Sequence, residues 1–410
     1  MRRTTRALAI VLPCLVSLLA ADVRVAGAQS AGDLFNVDTL QEIRLFVNSK
    51  DLAQLRARWA ENVFFPADLL WGTTRVRNVG IRSRGDGSRN PTKLGLLVEF
   101  DRYTTGQKLA GLTSIVLDNA WQDKSLMREQ IAMAFFNRMG LPAPREAFCR
   151  LYINGDFQGV YVVIENIDTN FLARAIGESS GYLFEFHWPR TTNFYGNDLG
   201  DDLSAYKSMF EARTHALESD TILYSPIRDL FREVNSPQDA VWRSRVEQYV
   251  DLNQFVRFVA IEMFLAEYDG LTGNWGMNNF YLYRRGSGTI HQFIPWDRDF
   301  AFVGQFDSSI FLNTDVNILF QQAMAFSDLR DLYLTVLEQC AQRATEDDWL
   351  AREIAHSASV ITAAVHEDPR KQFSNEDYDK EVGDLMGFAQ RRPAYVLQAV
   401  TTARGLGALH

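Results

Sequence analysis

Residues 251–302 read DLNQFVRFVAIEMFLAEYDGLTGNWGMNNFYLYRRGSGTIHQFIPWDRDFAF. Asp251 opens a helical pattern as N-cap with Gln254 at its third position, and the apolar run reaches Tyr268-Asp269-Gly270. A polar loop rich in Gly and Asn follows, then the strand Phe280–Tyr283, a Gly-Ser-Gly turn and a second strand ending in Trp296-Asp297-Arg298-Asp299. Acids and amides therefore gather where one helix and two strands end. The spacing suits a site for a metal and a phosphate.

An acid, a downstream Asn that opens a strand and an Asp that closes the next one follow the order used for phosphoryl transfer. In that order one Asp accepts a hydroxyl proton while the Asn and the later Asp hold magnesium; here Asp269, Asn278 or Asn279, and Asp297 stand in those places. Asn274, five residues after Asp269, competes with Asn279, and Asp299 competes with Asp297 as ligand. Mg²⁺ or Mn²⁺ needs few protein oxygens beside phosphate, and no His or Cys. Taken singly, Asp269 reads more simply as a helix-end residue beside Gly270; the set outweighs its members.

Upstream lies a matching phosphate side. Gly85 and Gly87 sit in a turn between two strand patterns, 76–84 and 93–100, where backbone N–H groups can approach phosphates. Lys93 opens the second strand, and Glu129 lies on the helical run after Ser125 that stops at Gly140. A strand Lys held by a helix Glu fixes the α/β-phosphates of ATP. Arg82, Arg84 and Arg128 add positive charge, though each also suits an ordinary surface or hairpin partner.

Farther out, Cys149–Glu165 is a hairpin about Asn154-Gly155, and residues 42–47 and 115–119 are strand-like. Everything to Glu165 suits a small sheet with one main helix; residues 166–410 are mostly helical, with helices expected over 203–216 and 316–404. Residues 29–40 read as a poorly ordered leader, and the charge-rich segment 365–381 as solvated surface. The expectation is an α+β chain of two lobes, residues 29–165 and 166–410.

Residues 1–28 carry Arg2, Arg3 and Arg6, an apolar run from Ala7 to Ala21 and an Ala26-Gly-Ala28 site, the pattern of a signal peptide. The apolar run is shorter than the roughly 20 residues of a membrane anchor. Cleavage removes four Arg and one Asp, which takes the formal charge from −9 to −12. So acidic a chain has no footprint for nucleic acid or an anionic membrane. Cys149 and Cys340 remain, and could pair in an oxidising compartment. Among the six His there is no zinc spacing, and no Walker or dinucleotide-binding glycine motif occurs. Gly177-Glu-Ser-Ser-Gly181 has a helix before it and a strand after it, the reverse of a nucleophile elbow.

With these residues in place, the chain resembles the CotH family, spore-coat protein H kinases with an atypical protein-kinase-like fold. The resemblance spans roughly Leu45 to Val303. Its blocks are Ile81–Gly85, Leu109–Asn119, Asp123–Glu129, Met139–Pro144, Tyr152–Glu165, Asn278–Tyr283 and Trp296–Asp299. It implies transfer of the ATP γ-phosphate to Ser or Thr of a secreted or surface protein. It also implies that Asp269 is the catalytic base, that Asn279 and Asp297 are magnesium ligands, that Lys93, Arg84, Gly85 and Gly87 lie by the phosphates, that Glu129 holds Lys93, and that Glu165 marks the hinge near the adenine. The chain departs from the family at Asp86-Gly87-Ser88, where Asn-Ser is usual, and at Phe300, where Gly is usual. An alternative is a non-catalytic surface, coat-assembly or adhesion protein, since ATP is scarce outside the cytoplasm. Both readings place the protein in the periplasm, at the cell surface or outside the cell.

Overall fold

The computed structural model describes residues 29–407; the signal peptide expected over 1–28 lies outside them. Seven strands come first: β1 Gln41–Val47, β2 Phe65–Trp71, β3 Thr74–Ser83, β4 Leu96–Glu99, β5 Ser114–Asp118, β6 Glu146–Ile153 and β7 Asp156–Glu165. They form a closed barrel in the order β1-β2-β3-β4-β5-β7-β6, in place of the small sheet that the sequence suggests. Closure comes from β1 pairing in parallel with β6, with Ile43 opposite Leu151. Asn154 locks that seam: its side chain accepts from Val47 N at 2.8 Å and donates to Val47 O at 2.8 Å. Its left-handed φ of 53°, followed by Gly155 at 86°, is what a tight primed hairpin turn requires.

Alternation decides the packing. Ile43, Leu45, Leu96, Val98, Ile115, Leu117, Cys149, Tyr161 and Val163 fill the barrel. Their neighbours Leu97, Val116, Phe148, Val162 and Ile164 face outward into the main core. There they meet the Arg128–Arg138 helix, whose Ile131, Ala132 and Phe135 are fully buried. Burying each large apolar side chain contributes on the order of 2 kcal/mol.

The rest of the chain surrounds the Leu252–Phe264 helix, capped by Asp251, whose side chain accepts from Gln254 N at 3.0 Å. The helix ends at Phe264, a turn earlier than the apolar pattern, because Ala266 takes a left-handed φ of 50°. A second sheet, β11-β10-β8-β9, lies beside it, built from β8 Tyr182–Phe186, β9 Phe210–Ala212, β10 Phe280–Arg284 and β11 His291–Pro295. Long helices Ser327–Thr345, Trp349–His366 and Asn375–Gly407 complete the core. No helix of the described residues is long and apolar enough to cross a membrane.

The chain is thus α+β, with four local departures from the sequence reading. Residues 29–40 are not a loose leader: Ser30 caps a short helix, Ala31–Leu34, and Leu34 and Phe35 are buried. The helix expected over 203–216 stops at Lys207, and β9 then pairs with β8. Cys149 and Cys340 are free and buried, one inside the barrel and the other in the helical core. The segment 365–381 is not all solvated, since Asp368 is buried.

Candidate active site

Asp269 stands where the chain turns back from the Leu252–Phe264 helix. Its N–H donates to Glu267 Oε1 at 2.8 Å. The loop beyond is folded against it: Asn274 N bonds Tyr268 O at 3.0 Å and Asn278 N bonds Gly270 O at 3.1 Å. Asn278 Nδ2 then reaches both carboxylate oxygens of Asp269, at 3.1 and 3.0 Å. Asn279 Nδ2 bonds Asp269 Oδ2 at 3.0 Å and its carbonyl at 3.1 Å. Asn279 holds a left-handed φ of 58°, which Asn tolerates better than most residues.

A fully buried arginine braces this loop. Arg298 Nη1 pairs with Glu262 Oε1 at 2.6 Å, and Arg298 Nη2 donates to the Asn279 carbonyl at 2.7 Å. Glu262 also accepts from Leu271 N at 2.9 Å. A side chain at Gly270 would put its Cβ 2.2 Å from Glu262 Oε1, so only glycine fits beside the brace. The helix, the loop and the strand end are thereby tied at one point.

The acids here exceed the cations. Burial, with Glu267 nearby, pushes the Asp269 carboxyl up to about 7 against the pull of the Asn278 hydrogen bond. Asp297 is pushed up to about 6, by burial first and then by Asp118, while Arg84 opposes the shift. Asp299, Glu129 and Glu146 are driven well above the carboxylate range by burial first, and then by neighbouring acids: Asp297 for Asp299, Glu146 for Glu129 and Asp118 for Glu146. Glu146 is buried with neither carboxylate oxygen hydrogen-bonded. Arg84 answers part of this charge: it pairs with Asp118 at 3.2 Å and lies over the Trp296 ring at 5.3 Å.

A cavity of about 390 Å³ opens onto the group, lined by Arg84, Gly85, Asp86, Asn278, Asn279 and Asp297 among others. Gly85 has a φ of 105°, and a Cβ there would lie 2.7 Å from Ser88 Oγ. Asp86 is held at the rim by Arg190. Glu185, His187 and Glu211 line the cavity too, close enough to share a cation, but His187 already bonds Glu211 at 2.8 Å and Arg213 lies 3.2 Å from Glu211. A larger cavity of about 800 Å³, beside Arg138 and Arg343, has no comparable acid and amide set.

Geometry sorts the candidates of the sequence. It gathers Asp269, Asn279, Asp297, Arg84 and Gly85, and sets Asp299 and Glu129 in the same acidic field. Asn274 is exposed and bonds Asn313, away from Asp269. Gly87 faces Gln122. Glu165, at the end of β7, is claimed by Arg145 at 2.8 Å and Arg174 at 2.6 Å. The expected pair of Lys93 with Glu129 does not form. Lys93 is buried at the barrel, its Nζ 2.9 Å from Asp368 Oδ2, because the segment after the Trp349–His366 helix tucks that carboxylate inside. Val160 N donates to the same oxygen at 3.0 Å.

Sequence reasoning missed Asp118 and Glu146 as members of the group, and it assigned no role to Asn278, which it read with Asn279 as opening the strand. The first closes β5, the second opens β6 and the third adjoins Asn279. Strand-end acids were the available signal, as they were for Asp297.

A family model described as CotH kinase protein matches residues 81–396. Inner spore coat protein H of Bacillus subtilis (strain 168) is 24% identical over 366 residues, which is 88% of this chain and 98% of that protein. An inner spore coat protein H-like protein of the same organism is 38% identical over 60 residues, 15% of this chain and 20% of that one. The Helicobacter pylori proinflammatory kinase CtkA covers 76% of this chain and 95% of its own, at 11% identity and a TM-score of 0.31, too distant to carry an argument.

Proposed function

The chain belongs to the CotH kinase protein family, and on that premise we propose that it is an exported kinase. It transfers the γ-phosphate of ATP to a Ser or Thr hydroxyl of a secreted or surface protein, with the barrel and the helical part serving as the two lobes. One observation carries this reading: a half-buried carboxylate, Asp269, is oriented by two amides, Asn278 and Asn279, that line a cavity together with Asp297 and Arg84.

In this reading Asp269 accepts the proton of the acceptor hydroxyl. The side chains of Asn278 and Asn279 fix the direction of its lone pairs. An acid pushed up to about 7 is part ionised at neutral pH, which suits a group that must take a proton and release it again. Arg84 and the N–H groups of the turn at Gly85 meet phosphate charge from the barrel side.

Asn279, Asp297 and Asp299 fit a hard divalent cation, because half-buried acid oxygens in excess, with Glu146 unpartnered in the same acidic field, favour positive charge. Mg²⁺, when bound, supplies neutralisation of the phosphate oxygens. Asp86, turned to Arg190, is held off the phosphates.

The test is incubation of the purified protein with γ-labelled ATP, Mg²⁺ or Mn²⁺ and a Ser/Thr-rich acceptor. Labelled acceptor or autophosphorylation is expected, lost in Asp269→Asn and Asp297→Asn. Absence of transfer, or transfer that survives both substitutions, overturns the proposal.

A further inference from the structure

Two guanidinium groups on the barrel rim face the cavity with no acid bonded to either. Arg82 Nη1 donates to Asn62 Oδ1 at 3.1 Å and to Ser83 O at 3.0 Å. Arg89 Nη2 donates to the same two oxygens, at 2.6 and 2.7 Å, and Arg89 Nη1 donates to Ala60 O at 2.8 Å. Sharing both acceptors forces the two cations side by side. All three acceptors are neutral, and the Arg89 Nε is buried without any partner. The other arginines that line this cavity have carboxylates: Arg84 has Asp118, Arg190 has Asp86, and Arg213 has Glu211.

Two like charges in contact, partly buried and held by neutral oxygens, repel in the free protein. Burial and the neighbouring Arg84 depress both guanidinium pKa values, which is the mark of an uncompensated positive field. Glu99, the nearest acid on β4, faces Arg102 at 3.6 Å. An oxyanion chain between Arg82, Arg84 and Arg89 would remove that repulsion. The expected phosphate lysine is not free for this work, since Lys93 is bonded to Asp368 at 2.9 Å.

We propose that Arg82 and Arg89, together with Arg84, form a polyphosphate clamp that holds the phosphate chain of the nucleotide, in the role the sequence pattern gives to a strand lysine. The nucleotide as source of the phosphates rests on the kinase reading; the clamp itself rests on the arginine geometry.

Titration calorimetry of the full chain with Mg·ATP and, separately, inorganic tripolyphosphate tests this, with Arg82→Gln, Arg89→Gln and the charge-keeping Arg82→Lys and Arg89→Lys. Circular dichroism checks the fold of each. The wild type binds both probes, ATP more tightly. Each Gln variant weakens both by about tenfold or more, and the Lys variants fall between. Equal binding by folded Gln variants, or no binding of either probe by the wild type, overturns the clamp. Tripolyphosphate bound as tightly as ATP overturns its assignment to a nucleotide. Arginine-dependent binding without any phosphate transfer overturns the kinase reading and keeps the clamp. Transfer with an unchanged KM for ATP in the Gln variants does the reverse.

Discussion

Two buried charged regions of this protein differ in one respect: whether their partners come from the protein itself. At the barrel, Lys93 gives its ammonium to Asp368, and Asp368 takes further hydrogen bonds from the N–H groups of Val160, Arg370 and Lys371. The Lys93 ammonium also sits 5.1 Å from the centre of the Tyr161 ring. Nothing there is left over. In the acidic group and the cavity beside it, Glu146 has no partner, Asp297 and Asp299 are pushed up by burial and then by neighbouring acids, and Arg82 and Arg89 meet only neutral oxygens. A closed ion pair holds two parts of a fold together; unmet charge of both signs in one region is what the proposed ligand and metal would answer.

The contrast breaks most visibly at Asp269. Asp269→Asn keeps the shape but leaves one oxygen to accept from the two amides and removes the proposed base, so transfer should fall by about 10²–10⁴-fold while Mg·ATP binding stays. Loss of binding along with transfer would make Asp269 a structural residue like Lys93.

On the closed side the expected effect is on stability. Asp368→Leu strands the buried Lys93 ammonium and should cost about 3–5 kcal/mol in denaturant unfolding. The double variant Lys93→Met with Asp368→Asn should lose less than the two single variants summed, because neither charge is then left alone. Additive losses would mean that the pair does not act as one unit.

The pH dependence sharpens the comparison. On the proposed role transfer requires ionised Asp269, whose acid is pushed up to about 7, so the rate should rise about tenfold per pH unit below that value and level off above it. A flat profile from pH 5 to 8 would remove Asp269 as base.

The smallest effect is at Glu146. Its folded-state pKa lies above the ordinary value of 4.5, so the folded chain binds this proton more tightly than the unfolded chain does. Its contribution to stability therefore falls as pH rises above about 4.5. Glu146→Gln removes that loss and should stabilise the protein at pH 8, and almost not at all near pH 4. Destabilisation at pH 8 would show that the carboxylate has a protein partner after all.

What could be read in the sequence was local. The Asp251 cap, the Asn154-Gly155 turn and the strands about Phe280 and Ile294 are each written in a few adjacent residues, and so is the order Asp269, Asn279, Asp297. Barrel closure was not legible, because it depends on β1 meeting β6 across a hundred intervening residues. Nor was β2, where Pro66 interrupts the strand pattern and the register slips between Ala67 and Leu69. The error at Lys93 has the same origin. Glu129 is the near candidate in sequence, but Asp368, within a charged run that looks solvated, is the one the fold delivers. Asn274 had kinase-loop spacing, yet the turn around Gly276 at a φ of 93° directs the chain so that Asn278 and Asn279, and not Asn274, meet Asp269.

The most direct test of the account is the unfolding free energy with and without saturating Mg·ATP, measured on the wild type, Asp297→Asn, and the Lys93→Met, Asp368→Asn double variant. At 100 times Kd a ligand adds about 2.7 kcal/mol. The account predicts a gain of that order for the wild type and the double variant alike, and its loss in Asp297→Asn. A flat response in the wild type, or a folded double variant that no longer responds, would contradict it.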